Sequence, residues 1–273
     1  MFDYHTHTIY SADVPDDTGF TVDVMCDTAI KKGIGEIAIT DHCDIDGITM
    51  RDFLSPDFVK VYSDIRDARN KYGHKIKILF GIEFGQPIYL PEVSWDLVQS
   101  YPFDIVIGSV HSVRGIYDLF NLDFSKLKYS EIERYWQMYI EEMHEMIEWG
   151  DFDVLAHITY PLRYLLRDGV TDFPPDRDML LRDFEPIFKK IIERDICLEC
   201  NTSGLRKKNG DPFPADLMSL YYSMGGRRVT IGSDAHSPKD IGADFDRVIN
   251  ELRAIGFDSI TRIEQRKKIQ HSL

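Results

Sequence analysis

The sequence contains few cysteines and shows no sign of a disulfide framework. Its 273 residues include four cysteines, Cys26, Cys43, Cys197 and Cys200. So few thiols in a chain of this length are not typical of a small secreted protein. Cys197 and Cys200 form a Cys-x-x-Cys pair, but the segment Ile196–Asn201 is typical of a strand, in which these two side chains face opposite sides. We therefore expect the cysteines to be buried as small apolar residues rather than to have a redox function.

Long apolar segments and an excess of positive charge are also absent. No apolar run approaches the roughly 20 residues of a membrane-spanning helix, and the first residues lack the basic and hydrophobic regions of a signal peptide. We therefore expect a cytoplasmic protein that does not enter a membrane. The 32 lysines and arginines are outnumbered by 46 aspartates and glutamates, which gives a net charge of −14. Without a basic excess the chain has little means of binding a nucleic-acid backbone, so we do not expect nucleic acid as its main partner.

Strand-like and helix-like segments alternate along the whole chain. The predicted strands are Phe2–His7, Glu36–His42, Lys75–Glu83, Phe103–His111, Phe152–His157, Ile196–Asn201 and Arg228–Asp234. The predicted helices are Val22–Lys32, Pro56–Tyr72, Val93–Ser100, Tyr129–Trp149, Arg177–Arg194, Pro214–Met224, Phe245–Ile255 and a last one at the C-terminus. Seven strand–helix units predict an α/β fold with a parallel sheet, and their number favours a closed barrel. No long linker divides the chain, so we expect one domain over residues 1–273.

Each of the seven predicted strands ends on a polar side chain. His5 and His7 are two residues apart in the first strand, so their side chains face the same side. The ends of the other strands carry His42, Glu83, His111, His157, Asn201 and Asp234. Because the carboxyl ends of barrel strands form one rim, these side chains are expected to meet in one pocket. A single histidine at a strand end is often only hydrogen-bonded, but burying so many polar groups without partners is costly, and a polynuclear metal site accounts for all of them.

The residues that flank His42 leave some alternatives open. Asp41, Cys43 and Asp44 could compete with His42 as metal ligands. Side chains so close to a ligand often cap the loop or form hydrogen bonds that orient the ligands instead. We favour this supporting role for them.

Six short motifs together resemble the polymerase-and-histidinol-phosphatase (PHP) superfamily. They are His5-Thr-His7, Thr40-Asp-His42, Gly81-Ile-Glu83, Ser109-Val-His111, Ala156-His157 and Gly232-Ser-Asp-Ala-His236. Their order is that of the family, and they extend from residue 5 to residue 236, so the resemblance covers nearly the whole chain. Within the superfamily, the chain resembles the monofunctional histidinol-phosphate phosphatases. The resemblance implies a distorted (β/α)7 barrel, in agreement with the seven predicted units, and a centre of three metal ions.

The resemblance also implies which residues bind each ion. The ligands of the first ion would be His5, His7, Glu83 and Asp234. The second ion would be bound by His111 and His157, with Glu83 as a bridge. The third would be bound by His42, His236 and Asp13, for which Asp16 and Asp17 are close alternatives. Histidine and carboxylate ligands suit three divalent ions of zinc, manganese or iron.

The charge of such a centre suits a phosphate ester. Three divalent ions bring six positive charges, and the three carboxylates with a bridging hydroxide would offset four of them, which leaves about two. This excess favours a phosphate monoester dianion as the small-molecule partner. We predict direct in-line attack by the bridging hydroxide, without a phosphoenzyme. The reaction that the resemblance implies is hydrolysis of L-histidinol phosphate to L-histidinol and inorganic phosphate, a step of histidine biosynthesis.

Several residues near the predicted rim are candidates for binding the substrate. Arg163 and Arg206 follow rim strands after a short loop, and the guanidinium group suits phosphate oxygens. The resemblance favours phosphate binding over a solvated surface role for both, and the alternatives are Arg114, Arg167 and Lys207. The candidates for contacting histidinol are Glu199, Asn201, Tyr160 and Tyr117. Glu199 should face the barrel interior, where it could equally support a metal ligand.

Three other functions remain open at this stage. An amidohydrolase shares the His-X-His opening but commonly has a bridging lysine, where this chain has Glu83. Another phosphoesterase of the same superfamily, acting on phosphotyrosine or a nucleotide, would use the same metal ions. A non-catalytic metal-binding module would be expected to have eroded ligands or fused domains. Long predicted loops at residues 44–55, 114–129 and 160–175 favour a covered pocket for a small molecule.

Overall fold

The computed structural model describes residues 1–116, 118–174, 176–206 and 215–273, with the backbone alone of Asp16. The strands are β1 Phe2–Asp3, β2 Glu36–Ile39, β3 His42–Ile45, β4 Phe53–Leu54, β5 Lys77–Gly85, β6 Ile105–Ser109, β7 Val154–Leu155, β8 Cys197–Asn201, β9 Val229–Gly232, β10 Ser259–Glu264 and β11 Lys267–Ser272. The helices are α1 Val22–Lys31, α2 Phe58–Tyr72, α3 Pro91–Ser100, α4 Tyr129–Trp149, α5 Tyr160–Arg167, α6 Arg177–Glu193, α7 Ala215–Ser223 and α8 Phe245–Ile255.

Parallel strands at seven positions form a nearly closed barrel with the helices outside. Their order is β1, β2, β5, β6, β7, β8 and β9. The first and last strands meet through backbone hydrogen bonds, in which the N–H of Tyr4 donates to the Ile231 carbonyl (3.3 Å) and the N–H of Asp234 to the His5 carbonyl (2.7 Å). The predicted α/β fold and its distorted (β/α)7 barrel are confirmed. The buried apolar residues, from Phe2 to Ile263, belong to one continuous cluster.

The second position of the barrel is occupied by a strand in two halves. β2 and β3 pair with β5 in one register, in which Ile39 lies opposite Phe80 and His42 opposite Glu83. Between the halves, the carbonyl of Asp41 accepts a hydrogen bond from the N–H of Glu83 (3.2 Å). The predicted strand Glu36–His42 therefore continues beyond its predicted end, and His42 begins the second half instead of ending the strand. This register places His42 beside Glu83.

Except for the one at the C-terminus, the predicted helices are present, although Pro214, the predicted first residue of one of them, lies outside the described residues. Polar side chains cap the first turn of three helices. The side chains of Thr21, Asp57 and Asp176 accept backbone N–H groups at the starts of α1, α2 and α6. The segment 160–175 differs from the prediction of a loop, because its first part is helix α5. Eight residues are too few for a clear helical period, although Pro161 is well suited to a first turn. Helix α5 brings Arg163 and Tyr160 to the rim.

The prediction of a helix at the C-terminus is wrong, because these residues form the antiparallel hairpin of β10 and β11. Its turn consists of Gln265 and Arg266, both with positive φ (48° and 61°). Turns of this kind usually contain asparagine or glycine, so the sequence carries no signal for this one. The hairpin packs against the starts of the barrel strands, where Arg262 pairs with Glu36 and Arg266 pairs with Asp153. These distant contacts, which local sequence does not reveal, fix the hairpin.

The four cysteines are free and buried, as the sequence predicts. Burial raises the pKa of Cys197 to about 12, so its thiol is protonated at neutral pH. Among the described residues, no helix is long and apolar enough to cross a membrane.

Replacing Arg266 by alanine is expected to lower the free energy of unfolding by about 2 kcal/mol, because Asp151 and the buried Asp153 lose their cationic partner. Urea denaturation measures this change. The matched control is Arg247→Ala, since Arg247 pairs with Glu251 on the exposed side of α8 and its loss should cost less than about 0.5 kcal/mol. Equal losses in the two variants would show that the ion pairs of Arg266 stabilise the protein no more than an exposed ion pair does, which would contradict the prediction.

Candidate metal centre

Glu83 lies at the centre of a cluster of histidines on the carboxyl rim of the barrel. Its side chain is fully buried, near the end of β5. Five ring nitrogens lie within hydrogen-bond or ligand range of its two oxygens. Those near Oε2 are His5 Nε2 (3.0 Å), His42 Nδ1 (3.0 Å) and His7 Nε2 (3.4 Å), and those near Oε1 are His157 Nε2 (2.8 Å) and His111 Nε2 (3.1 Å). One carboxylate therefore connects histidines from five positions of the chain.

His5 and His7 face the same side of the chain, as their spacing predicts. Their ring centroids lie 5.1 Å apart, and Asp234 Oδ1 lies 3.3 Å from His7 Nε2 and 3.8 Å from His5 Nε2. Asp234 follows β9 and has a φ of 52°, a backbone conformation that non-glycine residues rarely adopt. This strained backbone carries a carboxylate that faces two ligand-type nitrogens. Backbone strain of this kind is found most often at functional sites.

A second group of histidines lies at the outer side of the cluster. The ring of His7 stacks between those of His42 and His236, with centroid separations of 4.3 and 4.2 Å. Asp13 Oδ2 lies 2.7 Å from His236 Nε2 and 3.6 Å from His42 Nε2. Asp13 therefore reaches both histidines. Of its alternatives, Asp17 is exposed, as Asp13 itself is, and the side chain of Asp16 lies outside the described part of the structure.

The inward-facing atoms of this cluster fit a set of divalent cations. Among the described residues, five of these buried atoms form no hydrogen bond with suitable geometry, although they lie 2.7–3.4 Å from one another or from Asp13; they are His5 Nε2, His7 Nε2, His42 Nδ1, His236 Nε2 and Glu83 Oε2. Burying polar atoms without partners is costly, and a bound cation removes that cost. Four groups of three residues have ligand atoms within 4.8 Å of one another. They are His5–His7–Asp234, His5–Glu83–His157, His42–Glu83–His111 and His7–His42–His236.

The outer nitrogens of four of these histidines are bonded to other groups, which turns their inner nitrogens toward the centre. Donors and acceptors are paired as His5 Nδ1 with Glu199 Oε1 (2.6 Å), His7 Nδ1 with Ser11 Oγ (3.1 Å), His111 Nδ1 with Asp44 Oδ1 (2.9 Å) and His236 Nδ1 with the Asp234 carbonyl (3.0 Å). Ser11 in turn donates to Asp41 (2.9 Å). Such bonds fix the tautomer and orientation of metal-binding imidazoles. Asp41 and Asp44 thus have the favoured supporting role, and Ser11 was not predicted, because nothing in its local sequence marks it.

Burial disfavours charged imidazoles, but nearby carboxylates outweigh it and raise the pKa of His5, His42, His111 and His236, so a metal would displace protons from these four rings. Two other inner groups are already in the form that binds a metal. Burial, together with the neighbouring His236 and His42, lowers the pKa of His7 to about 3, so its imidazole is neutral and can offer a lone pair. Burial alone would favour neutral Glu83, but the surrounding His5, His42 and His111 outweigh it and hold the pKa of Glu83 well below its ordinary value. The carboxylate is therefore ionised at neutral pH.

Two of the predicted substrate-binding residues are bonded to the metal-site residues themselves. Glu199 Oε1 contacts His5, and Oε2 accepts the backbone N–H of His157 (2.9 Å) and the side-chain amide of Asn201 (3.2 Å). The same amide lies 3.3 Å from Asp234 Oδ2. The side chains of Glu199 and Asn201 therefore contact candidate metal ligands, which is the second of the two roles that the sequence allowed for Glu199.

The two predicted arginines differ in their surroundings. Arg163 is buried in α5, with Nη1 3.7 Å from Asp234 Oδ2 and its guanidinium 5.5 Å from the centre of the Tyr160 ring. Arg206 donates from Nη2 to the Ser233 carbonyl (2.6 Å). Both guanidinium groups therefore lie next to Asp234 or to the residue before it.

Two of the alternative arginines are bonded to groups outside the metal-binding cluster, and two other candidates lie outside the described structure. Arg114 pairs with Glu145 (2.6 Å), and Arg167 donates to the Phe120 carbonyl (2.7 Å). Lys207 and Tyr117 lie outside the described residues.

Tyr160 is at the rim, since its ring centroid is 5.0 Å from that of His111 and 5.2 Å from that of His157. Its hydroxyl donates to Asp118 (3.2 Å), a rim carboxylate that the sequence did not single out.

A buried cluster of histidines and carboxylates at the carboxyl rim of a (β/α)7 barrel defines a metal-dependent enzyme of the α/β-barrel class. A family profile of the PHP domain matches residues 3–203 of the chain. A probable histidinol-phosphatase of Clostridium acetobutylicum is 31% identical over 251 residues, which is 91% of each chain. The histidinol-phosphatase of Lactococcus lactis is 27% identical over 280 residues, or 97% of each chain. The protein therefore belongs to the PHP domain family.

Solved structures share the fold. The crystal structure of histidinol phosphate phosphatase from Lactococcus lactis, complexed with Zn, L-histidinol and phosphate, has a TM-score of 0.83 and 24% identity over 98% of both chains. A crystal structure of the protein hisK from Listeria monocytogenes has a TM-score of 0.73 and 20% identity, over 90% of this chain and 99% of that one. The fold of the chain thus agrees with that of these two structures over 98% and 90% of its length.

Replacing Glu83 by glutamine is expected to reduce the metal content of the protein, because the amide removes the negative charge that the histidines share. The loss of affinity should exceed the roughly 10- to 100-fold that follows from changes outside the ligand set. Metal analysis after dialysis against a weak chelator measures it. The control is Glu141→Gln, on the exposed side of α4. Unchanged metal content in Glu83→Gln would contradict a central role for this carboxylate.

Proposed function

We propose that this protein is a metal-dependent phosphomonoesterase that hydrolyses L-histidinol phosphate to L-histidinol and inorganic phosphate. The observation that carries the proposal is the buried Glu83 carboxylate, which faces five ligand-type histidines. The relatives that are similar over 91% and 97% of the chain are named histidinol-phosphatases. The continuous core supports one domain over residues 1–273 as part of the same proposal.

The proposed centre holds three divalent ions of zinc, manganese or iron. Its first ion has the ligands His5, His7, Asp234 and Glu83. Its second has His111, His157 and Glu83, and its third has His42, His236 and Asp13. The two oxygens of Glu83 face different sets of histidines, which supports a bridging role for this side chain. The contact between Asp13 and His236 supports the third set (2.7 Å).

The chain supplies fewer negative charges than this centre needs, which favours an anionic substrate. When bound, divalent ions lower the pKa of coordinated water and offset charge on phosphoryl oxygens. The ligand carboxylates are those of Asp13, Glu83 and Asp234, and the imidazole of His7 is neutral, with a pKa of about 3. Three carboxylates leave about three of six positive charges, which attracts a phosphate monoester dianion.

The substrate's phosphate is proposed to lie between the metal centre and the two arginines. Arg163 lies next to the side chain of Asp234, and Arg206 is bonded to the backbone of Ser233. Guanidinium groups in this position can bind phosphate oxygens that the metal ions leave free. Burial of Arg163 strengthens such contacts, because water screens them less.

The histidinol moiety is proposed to contact the rim beside Tyr160. The ring of Tyr160 lies against those of His111 and His157, and an aromatic surface suits the imidazole of the substrate. The proposed roles of Glu199 and Asn201 in the substrate site are indirect, since both are bonded to residues of the metal centre.

The test of the proposal is phosphate release by the metal-reconstituted protein. L-histidinol phosphate, phosphotyrosine and a nucleotide monophosphate are assayed in parallel. The expected result is a kcat/KM for L-histidinol phosphate at least about 100-fold above the other two, as expected when buried polar groups recognise one leaving group. Comparable turnover of all three, or no turnover of L-histidinol phosphate, would contradict the proposed substrate. The substrate of the metal-dependent barrel would then be another phosphoester.

Replacing Arg163 by alanine is expected to raise KM for L-histidinol phosphate, and Ki for inorganic phosphate, by roughly 10- to 100-fold, because a charged hydrogen bond to phosphate is lost. Steady-state kinetics with phosphate as a competitive inhibitor measure both constants. Arg134→Ala, on the exposed side of α4, is the control. A rise in KM without a matching rise in Ki would show that Arg163 does not bind the phosphate group.

A further inference from the structure

Gly85 is the last residue of β5, and its backbone lies against a carboxylate that holds one of the proposed ligands. We propose that Gly85 is a positioning residue. Its lack of a side chain allows the carboxylate of Asp44 to reach Nδ1 of His111 and to turn the other ring nitrogen toward Glu83. The inference rests on the proposed function, because it concerns the geometry of the proposed second metal ion.

The register of three strands places these groups together. Asp44 of β3 is the direct partner of Gly85, and Gly85 is the direct partner of Ser109 in β6. Residues paired in this way point to the same face of a sheet. The Asp44 side chain therefore extends across Gly85 toward the residues that follow β6. It reaches His111, where Oδ1 lies 2.9 Å from Nδ1.

A side chain at position 85 would occupy the space of that carboxylate. A Cβ built on Gly85 would lie 1.6 Å from Asp44 Oδ1 and 3.2 Å from His111 Nδ1. The three atoms nearest to this Cβ all belong to the side chains of Asp44 and His111. Alanine at this position would therefore displace the Asp44 carboxylate, while the backbone of the barrel could stay in place. The backbone conformation of Gly85 does not itself require glycine, since its φ is not positive.

Loss of the carboxylate contact has a direct consequence for the ligand. The imidazole of His111 can bind a metal through Nε2 only when the proton is on Nδ1, and Asp44 accepts that proton's hydrogen bond. Asp44 Oδ2 also lies 3.5 Å from His42 Nδ1, so its displacement removes a negative charge from beside two proposed ligands. Both effects weaken metal binding.

A second glycine repeats the arrangement in another part of the rim. A Cβ on Gly232 would lie 2.3 Å from Glu199 Oε1, the atom that is bonded to His5 Nδ1. It would also lie 2.5 Å from the Cβ of His5, which cannot move without its backbone. Gly232→Ala would therefore disturb the barrel as well as the carboxylate. Gly85 offers the cleaner test, because its clash is with the end of a side chain.

The experiment compares zinc binding by four variants and the wild-type protein. The variants are Gly85→Ala, Asp44→Ala, the double variant and the control Gly35→Ala, where a Cβ would meet only the Met1 carbonyl at 3.8 Å. Each reconstituted protein is titrated with a chromophoric zinc chelator, and circular dichroism and Tm of the metal-free forms report the fold. We expect Gly85→Ala and Asp44→Ala each to weaken the binding of one zinc ion by roughly 10- to 100-fold relative to the wild type. The double variant should be no weaker than either single variant, and Gly35→Ala should match the wild type.

Several outcomes would overturn the inference. They are wild-type zinc affinity in Gly85→Ala or in Asp44→Ala, and a double variant whose loss is the product of the two single losses. If Gly85→Ala does not fold, the double variant should fold, because removing the Asp44 carboxylate removes the clash; a double variant that also fails to fold would contradict the proposal. A wild-type protein that retains neither zinc nor manganese nor iron would overturn the proposed function together with this inference, whereas the outcomes above leave the proposed function intact.

Discussion

The structure depends on one buried carboxylate surrounded by imidazoles. Glu83 has no exposed surface, and five histidines contact its two oxygens. A lone buried carboxylate would be costly, and so would the buried ring nitrogens that lack partners. Cations shared between them resolve both costs at once. The same arrangement keeps Glu83 ionised and His7 neutral, which is the form in which each of them binds a metal.

The barrel makes this cluster possible by joining distant parts of the chain. The backbone of His5 accepts the N–H of Asp234, which closes the barrel and brings the first and last ligands side by side. The second strand keeps one register with β5 on both sides of Asp41, and this register places His42 beside Glu83. Outside this ring of ligands, carboxylates such as Asp44 and Glu199 hold the histidine rings in place. Gly85 and Gly232 leave the room that these carboxylates need.

The sequence predicts the barrel and most of the cluster, because both depend on local patterns. Each apolar strand that ends on a polar residue, such as His111, His157 or Asp234, can be recognised from its own segment of the sequence. Because the strands of a barrel are parallel, their carboxyl ends must lie together. The supporting contacts are not visible in this way. Ser11 and Gly85 act only through partners that their local sequence does not reveal. The C-terminal hairpin lacks the residues typical of a hairpin turn, and its apolar residues do not show a period that distinguishes strands from a helix. Strand register, which decides the position of His42, also depends on tertiary contacts.

The central claim is that Glu83 is shared between metal ions, and a crystal structure of the zinc-reconstituted protein tests it most directly. Anomalous difference maps, recorded on both sides of the zinc absorption edge, locate each ion without reference to the chemistry of the site. The account predicts one zinc ion at Oε2 of Glu83, with His5 and His7, and another at Oε1, with His111 and His157. Zinc ions bound elsewhere, with neither oxygen of Glu83 as a ligand, would contradict it.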